Sequence, residues 1–421
     1  MSRDSVARGM AGSAYGRTER FRNVHTFARL GDSRSSVQWL DFSTRRNIAN
    51  ADPVNWANVH AGQRMIFSPA NNFAVSGHRT DQQLAYLQSA INTGAGNLLI
   101  WLGVNDFSQN VTDAVAFENV KAMCKAALAA GMRPWVFTEP GATAMNATQT
   151  GYRNDFNQRL REYAESGVGV VLYDLADAMC DNDATSAIAF KTNYSADGTH
   201  PNANGSYYMG LAFSGLVKDV IPPLPIQAID GREANGVGTS SKIYNPMFAV
   251  GTAGAVGTGN SGTLPTSFTG LRTGSANGAF SIAPEPDGYG NQVTINATFA
   301  AADETVRVSQ GLDFASLTAG DIIEGGCEID IASGPTNLRS AVCMIDVTVD
   351  GVQTQYFGMM GATAYGSIPG GGTKMVLRTG KLTIPAGNLT AASWQVRLYA
   401  HGAGSASVTV RKPWARKRFA F

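Results

Sequence analysis

Charge is scarce in this sequence of 421 residues: charged side chains make up 15%, and 33 basic residues nearly cancel 32 acidic ones. A formal net charge of +1 leaves no electrostatic footprint for nucleic acid or an anionic membrane surface, so a neutral partner is expected. No run approaches the ~20 apolar residues of a membrane span. The opening MSRDSVARGMAGSAYGRTERF has basic residues but no apolar core of a secretory signal. Cysteine is equally sparse. Cys124, Cys180, Cys327 and Cys343 form no CxxC pair, and their spacing matches neither a zinc site nor a disulfide scaffold. Buried free thiols are therefore expected, with a Cys327–Cys343 bridge as the lesser alternative. The five His residues are few and the candidate Asp and His residues already have other roles, so no metal is implied. GGG at 370–372 precedes Thr373 and Lys374 in a strand context with no helix to follow, which excludes a phosphate-binding P-loop.

What is present changes character along the chain. From residue 24 to about 220, short continuously apolar runs such as NLLIWL (97–102), RPWVFT (133–138) and VGVVLYDL (168–175) read as strands buried on both faces of a parallel sheet. Helical spacing is found over 81–92, 114–130, 151–166 and 203–218. This is a βαβ series, hence a three-layer α/β/α architecture. DVIPPLPIQAIDGREANG (219–236) is rich in proline and turn formers and reads as a linker over 221–236. Beyond it, Gly-rich turns separate alternating runs at 291–299, 343–351, 380–387, 393–402 and 405–413, the pattern of an antiparallel β-sandwich. The alternation puts Trp394, Val396, Leu398 and Ala400 on one face and Gln395, Arg397 and Tyr399 on the other. The expected organisation is an N-terminal extension (1–23), an α/β domain (24–220), the linker, and an all-β domain (237–421).

In open α/β sheets, ligands bind at the carboxyl ends of the strands. Four polar loops fall there: Gly31-Asp32-Ser33 after the first strand, NNFAVSG ending at Gly77, GVND with Asn105, and SADGTHPNANG with Asp197 three residues before His200. Acyl transfer needs what they hold. Ser33 offers a hydroxyl that requires a base, His200 is that base, and Asp197 orients the imidazole and stabilises its charged form. The backbone N–H groups of Ser33 and Gly77, with the Asn105 amide, would form an oxyanion hole. Asp174, at the end of VLYDL, is the rival for the acid role. Asp32 and Asp106 read as braces of their loops.

Serine in GDS, glycine in NFAVSG, asparagine in GVND and histidine in DGTH are the four ordered blocks of the SGNH (GDSL-like) hydrolases, and residues 24 to 220 resemble that superfamily. The resemblance implies a flavodoxin-like domain, a Ser-His-Asp esterase mechanism and no cofactor. It departs at Arg34, which stands where leucine is usual and would bring a cation to the mouth of the site. His78, next to the oxyanion glycine, reads as a surface loop residue, with a substrate contact as the alternative. The second half resembles the jelly-roll, carbohydrate-binding-like domains attached to phage-tail and polysaccharide-modifying enzymes. Tyr289, Tyr356, Tyr365, Trp394 and Trp414 could stack on sugar rings, although most aromatics of a sandwich are core. A purely structural or oligomerising sandwich is the alternative.

Together the halves suggest an esterase removing O-acetyl or other short acyl groups from a bacterial polysaccharide. The expected setting is a phage tail, the virion or the extracellular space. A trimer is conceivable by association with tail spikes. The competing expectations are a small-acyl or lipid esterase without glycan specificity, and a non-catalytic receptor-binding tail protein.

Overall fold

The computed structural model describes residues 23–42, 45–181, 188–224, 242–288 and 290–418. The expected N-terminal extension up to residue 22, the linker from residue 225 and Tyr289 lie outside the described residues. The chain divides into two compact units, Met1–Gln38 with Ala51–Leu224, and Trp39–Asn50 with Pro225–Phe421.

The first unit is built on five parallel strands: β1 (Thr26–Gly31), β2 (Ile66–Asn72), β3 (Asn97–Trp101), β4 (Arg133–Phe137) and β5 (Val171–Tyr173). Their order is β2-β1-β3-β4-β5, the doubly wound arrangement whose direction of winding switches between β1 and β3. The helices are α1 (Ser33–Ser36), α2 (Pro53–His60), α3 (Thr80–Gln83), α4 (Leu87–Asn92), α5 (Val104–Ser108), α6 (Asp113–Ala129), α7 (Ala147–Glu165), α8 (Leu175–Met179) and α9 (Ala203–Val220).

The inner strands β3 and β4 are buried and mostly apolar because both faces are covered, whereas the edge strand β2 is polar in part. Ala28, Leu30, Leu98, Ile100 and Val136 pack with Val120, Met123, Phe156 and Leu160 of α6 and α7. Their sequence neighbours Phe27, Leu99, Trp101, Trp135 and Phe137 pack with Val54, Met209, Phe213 and Val217 of α2 and α9. Each such side chain, fully buried, contributes roughly 1.5–3 kcal/mol. The single helix expected over 81–92 is interrupted by one 3-10 turn at Leu84–Tyr86. At that break Gln83 is buried, its amide accepting from Gly31 N–H (3.2 Å) and donating to Phe73 C=O (3.3 Å).

The second unit is a large, mainly antiparallel β assembly. The separate runs expected at 393–402 and 405–413 form one strand, Leu389–Arg418, which pairs in turn with Asn291–Phe299, Thr305–Gly311, Ile322–Ile331 and Thr336–Val349. As the alternation predicts, Trp394, Val396, Leu398 and Ala400 are fully buried on one face. Of the run expected at 380–387 only Leu382–Thr383 is strand. All four cysteines are buried free thiols. Burial, and then hydrogen bonding with Cys343, push the Cys327 thiol well up.

The expected first domain was continuous from 24 to 220. Trp39–Asn50 instead belongs to the second unit, where Trp39–Phe42 pairs with Arg45–Ala49, and the latter runs parallel to Val352–Met360. A strand edge presents unpaired backbone groups, and this excursion satisfies those of Val352–Met360.

Candidate active site

β1 ends at Gly31, where a Cβ would lie 2.4 Å from the Ser35 Cβ. Only glycine lets α1 start this close to the strand. Asp32 caps α1: its Oδ1 accepts the Arg34 N–H at 3.0 Å. The capping role open to a serine in this position is thus taken by Asp32, and the Ser33 hydroxyl is left for other work. It faces His200, with Oγ 2.8 Å from Nε2.

His200 is held from behind. Its Nδ1 lies 2.7 Å from Asp197 Oδ2, while Asp197 Oδ1 accepts the backbone N–H groups of Thr199 (2.9 Å) and His200 (2.7 Å). Burial pushes the Asp197 carboxyl up, but these backbone donors and the imidazole outweigh it and hold the group down at about 2. The carboxylate therefore fixes the Nδ1–H tautomer, which leaves Nε2 as the acceptor for the serine proton. The loop is pinched by a bridge between Ser195 and Pro201 and anchored to α9, whose cap Asn202 accepts the Gly205 N–H at 2.9 Å. Asp174 is occupied elsewhere, ion-paired with Arg161 (2.8 Å) and accepting the Thr138 hydroxyl (2.7 Å).

Gly77 has φ +81° with free space where a Cβ would stand, so the left-handed backbone requires the glycine. The N–H groups of Ser33 and Gly77 have no partner among the described residues. Asn105, in the first turn of α5, donates its amide to the His78 C=O at 3.0 Å and so ties its loop to that of Gly77. His78 is half-buried, its Nδ1 engaged by the Gln83 amide at 3.2 Å. Asp106 braces the same region, accepting the N–H (3.0 Å) and hydroxyl (2.6 Å) of Thr80. Its burial pushes its pKa up to about 6.

Arg34 is not at the mouth of the site. Its side chain is 1% exposed, runs beneath the turn over the Trp101 ring (4.7 Å) and meets Asp32 (2.8 Å) and both oxygens of Glu139 (2.5 and 2.6 Å). A guanidinium this buried, with four of its N–H groups on two carboxylates, is turned away from substrate, which corrects the expected contact. Burial acts against the charge, but Asp32 and Glu139 outweigh it and raise the Arg34 pKa. Glu139 carries no motif, and the sequence reading missed it. Its position in FTEPG, at the carboxyl end of β4, was the signal. In the second unit Trp394 is fully buried, which removes it from the sugar-stacking candidates; Tyr356, Tyr365 and Trp414 are half-buried.

Among the described residues no helix is long and apolar enough to cross a membrane. Residues 30–207 match the model of the GDSL-like lipase/acylhydrolase family. No curated protein matches the chain. Among solved structures, the chain is similar to a GDSL-like lipase from Bacteroides thetaiotaomicron, at 14% identity over 50% of this chain and 96% of that one, with a TM-score of 0.36. A member of the lipolytic G-D-S-L family from Veillonella parvula gives 14% identity over 46% and 97%, with a TM-score of 0.35. A structure of carbohydrate-binding modules from the β-sandwich superfamily gives 15% over 35% and 56%, with a TM-score of 0.26. The matched segment holds Ser33, Gly77, Asn105, Asp197 and His200, so this part of the chain carries the GDSL-like lipase/acylhydrolase pattern and, at the level of that family, an ester-hydrolase chemistry.

Proposed function

We propose that the protein is a serine esterase that removes O-acetyl or other short acyl groups from a polysaccharide. The observation that carries the hydrolytic reading is the continuous Asp197–His200–Ser33 hydrogen-bonded chain. In the proposed cycle Ser33 Oγ attacks the acyl carbonyl while its proton passes to His200 Nε2. The carbonyl oxygen, now anionic, meets the N–H groups of Ser33 and Gly77 and the remaining amide proton of Asn105. As the C–O bond to the sugar breaks, His200 returns its proton to the departing hydroxyl. Water, deprotonated by the same imidazole, then attacks the acyl-serine, and His200 returns that proton to Ser33 Oγ as the carboxylic acid leaves.

The glycan reading is supported by the β-rich second unit attached to a small hydrolytic one and by a chain that carries almost no net charge. The setting, a phage tail or virion acting on bacterial surface polysaccharide, rests on the resemblance of the second half to the jelly-roll domains of such enzymes. The test is acetate release from a panel of O-acetylated bacterial polysaccharides, with Ser33→Ala alongside. Release by the wild type alone supports the reading. Ser33-dependent cleavage of small acyl esters without release from any glycan would keep the esterase and remove the polysaccharide.

A further inference from the structure

Arg307 and Arg397 stand opposite each other in register on the antiparallel strands Thr305–Gly311 and Leu389–Arg418. Like charges directly opposite in a sheet repel, and both side chains are half-buried. Neither has an ion-pair partner among the described residues. Both guanidinium groups converge on one neutral acceptor, Gln395 Oε1, at 3.4 Å from Arg307 and 2.7 Å from Arg397. The other terminal nitrogen of Arg397 donates to the Tyr399 hydroxyl at 3.0 Å, and its Nε is buried without a partner. Asp346, whose charge favours the Arg307 cation, makes no ion pair with it and accepts the amides of Gln353 (2.6 Å) and Gln355 (3.1 Å). Burial, and then the Arg397 cation, push the Arg307 pKa down. The free protein thus carries two adjacent cations without an ion pair among the described residues, on a sheet face where the Gln395 amide and the Tyr399 hydroxyl stand beside the apolar side chains of Val342 and Met344.

A guanidinium fork is matched to a carboxylate by two parallel hydrogen bonds. The Gln395 amide and the Tyr399 hydroxyl beside them suit sugar hydroxyls, which both donate and accept. We infer that the Arg307–Arg397 pair binds the carboxylate of an acidic sugar residue, an inference that rests on the polysaccharide reading above. The near-zero net charge of the chain conceals this site, because it reports a sum over the whole molecule and the pair is local.

The test is calorimetric titration of the full-length protein at low salt with unesterified oligogalacturonate, a neutral galacto-oligosaccharide of the same length, and inorganic phosphate. Oligogalacturonate should bind, the neutral oligomer should bind at least about tenfold more weakly, and Arg307→Gln and Arg397→Gln should each weaken acidic binding by about tenfold or more. Because each substitution relieves repulsion, Tm should hold or rise, and hydrolysis of small acyl esters should be unchanged. Arg397→Lys keeps the charge, loses the fork and should bind like Arg397→Gln. Variants that bind oligogalacturonate as the wild type does overturn the site, as does a fall in Tm without a loss of binding. Phosphate competing as strongly as the oligosaccharide would make it a simple oxyanion site and overturn the sugar assignment. The probe carries no ester, so acidic binding with no acetate release from any glycan removes the deacetylase and keeps the site. Deacetylation of neutral glycans without acidic binding does the reverse.

Discussion

Arg34 in the α/β unit and Arg397 in the β-rich unit are both drawn into their sheets, but they meet different company. Arg34 finds Asp32 and Glu139, and nearby Arg29 finds Asp52 at 2.8 Å. Arg397 finds an amide oxygen, a phenol and another arginine. A buried cation with its countercharges in place is a brace, whereas a half-buried one left with neutral acceptors still has charge to spend. Arg34 is fully buried and Arg397 half-buried, and their partners set them further apart.

The largest expected effect separates the halves altogether. Ser33→Ala should lower kcat for small acyl esters by about 10⁴-fold or more while leaving oligosaccharide affinity unchanged, as paired kinetic and calorimetric measurements would show. Next, Arg34→Ala leaves two buried carboxylates unpaired and should cost about 3–5 kcal/mol in urea unfolding, against no loss for Arg397→Gln. A cost under about 1 kcal/mol would break the contrast between brace and receptor. Asn105→Ala should lower kcat by about 10²–10³-fold with little change in Tm. A loss of stability without a loss of kcat would confine Asn105 to tying the His78 loop.

The smallest effects lie in pH. Asp197 is held at about 2 in the fold against 3.8 ordinarily, so its contribution to stability is present above about pH 4 and lost only as pH falls toward 2. Activity should show no inflection from this carboxylate between pH 4 and 7. Asp106 is the opposite case, raised to about 6: the fold favours its protonated form, and stability declines as pH rises from about 4 to 6. Asp106→Asn should flatten that decline in denaturant titrations at the two pH values.

The residues of the triad were legible because Ser33 closely follows a strand, and because Asp197 and His200 share one loop just before a helix. Glu139 sits at the same rim, but its meaning depends on Arg34, 105 positions away, and no local pattern announces such a pair. The same distance explains the misplacement of Arg34, since one sequence does not say whether a side chain turns outward or runs beneath its own turn. The helix α2 was legible and overlooked: Asp52 before Pro53 is a cap followed by a first-turn proline. Trp39–Asn50 was not, because the strand it joins lies in the other half of the chain. In the β unit the alternation named the core face of Leu389–Arg418 correctly, while the role of the opposite face emerged only from the register that sets Arg307 against Arg397.

That excursion has a consequence in time. Arg45 must wait for Gln355, its partner in the sheet, which leaves the ribosome roughly 300 residues later, or about 15–60 s at ordinary elongation rates. During that interval the segment just downstream of the nucleophile turn has no edge to join. A polypeptide ending at residue 224 would keep Ser33, Asp197 and His200 yet never acquire that edge, so synthesis of the first half alone is not a clean route to a minimal esterase.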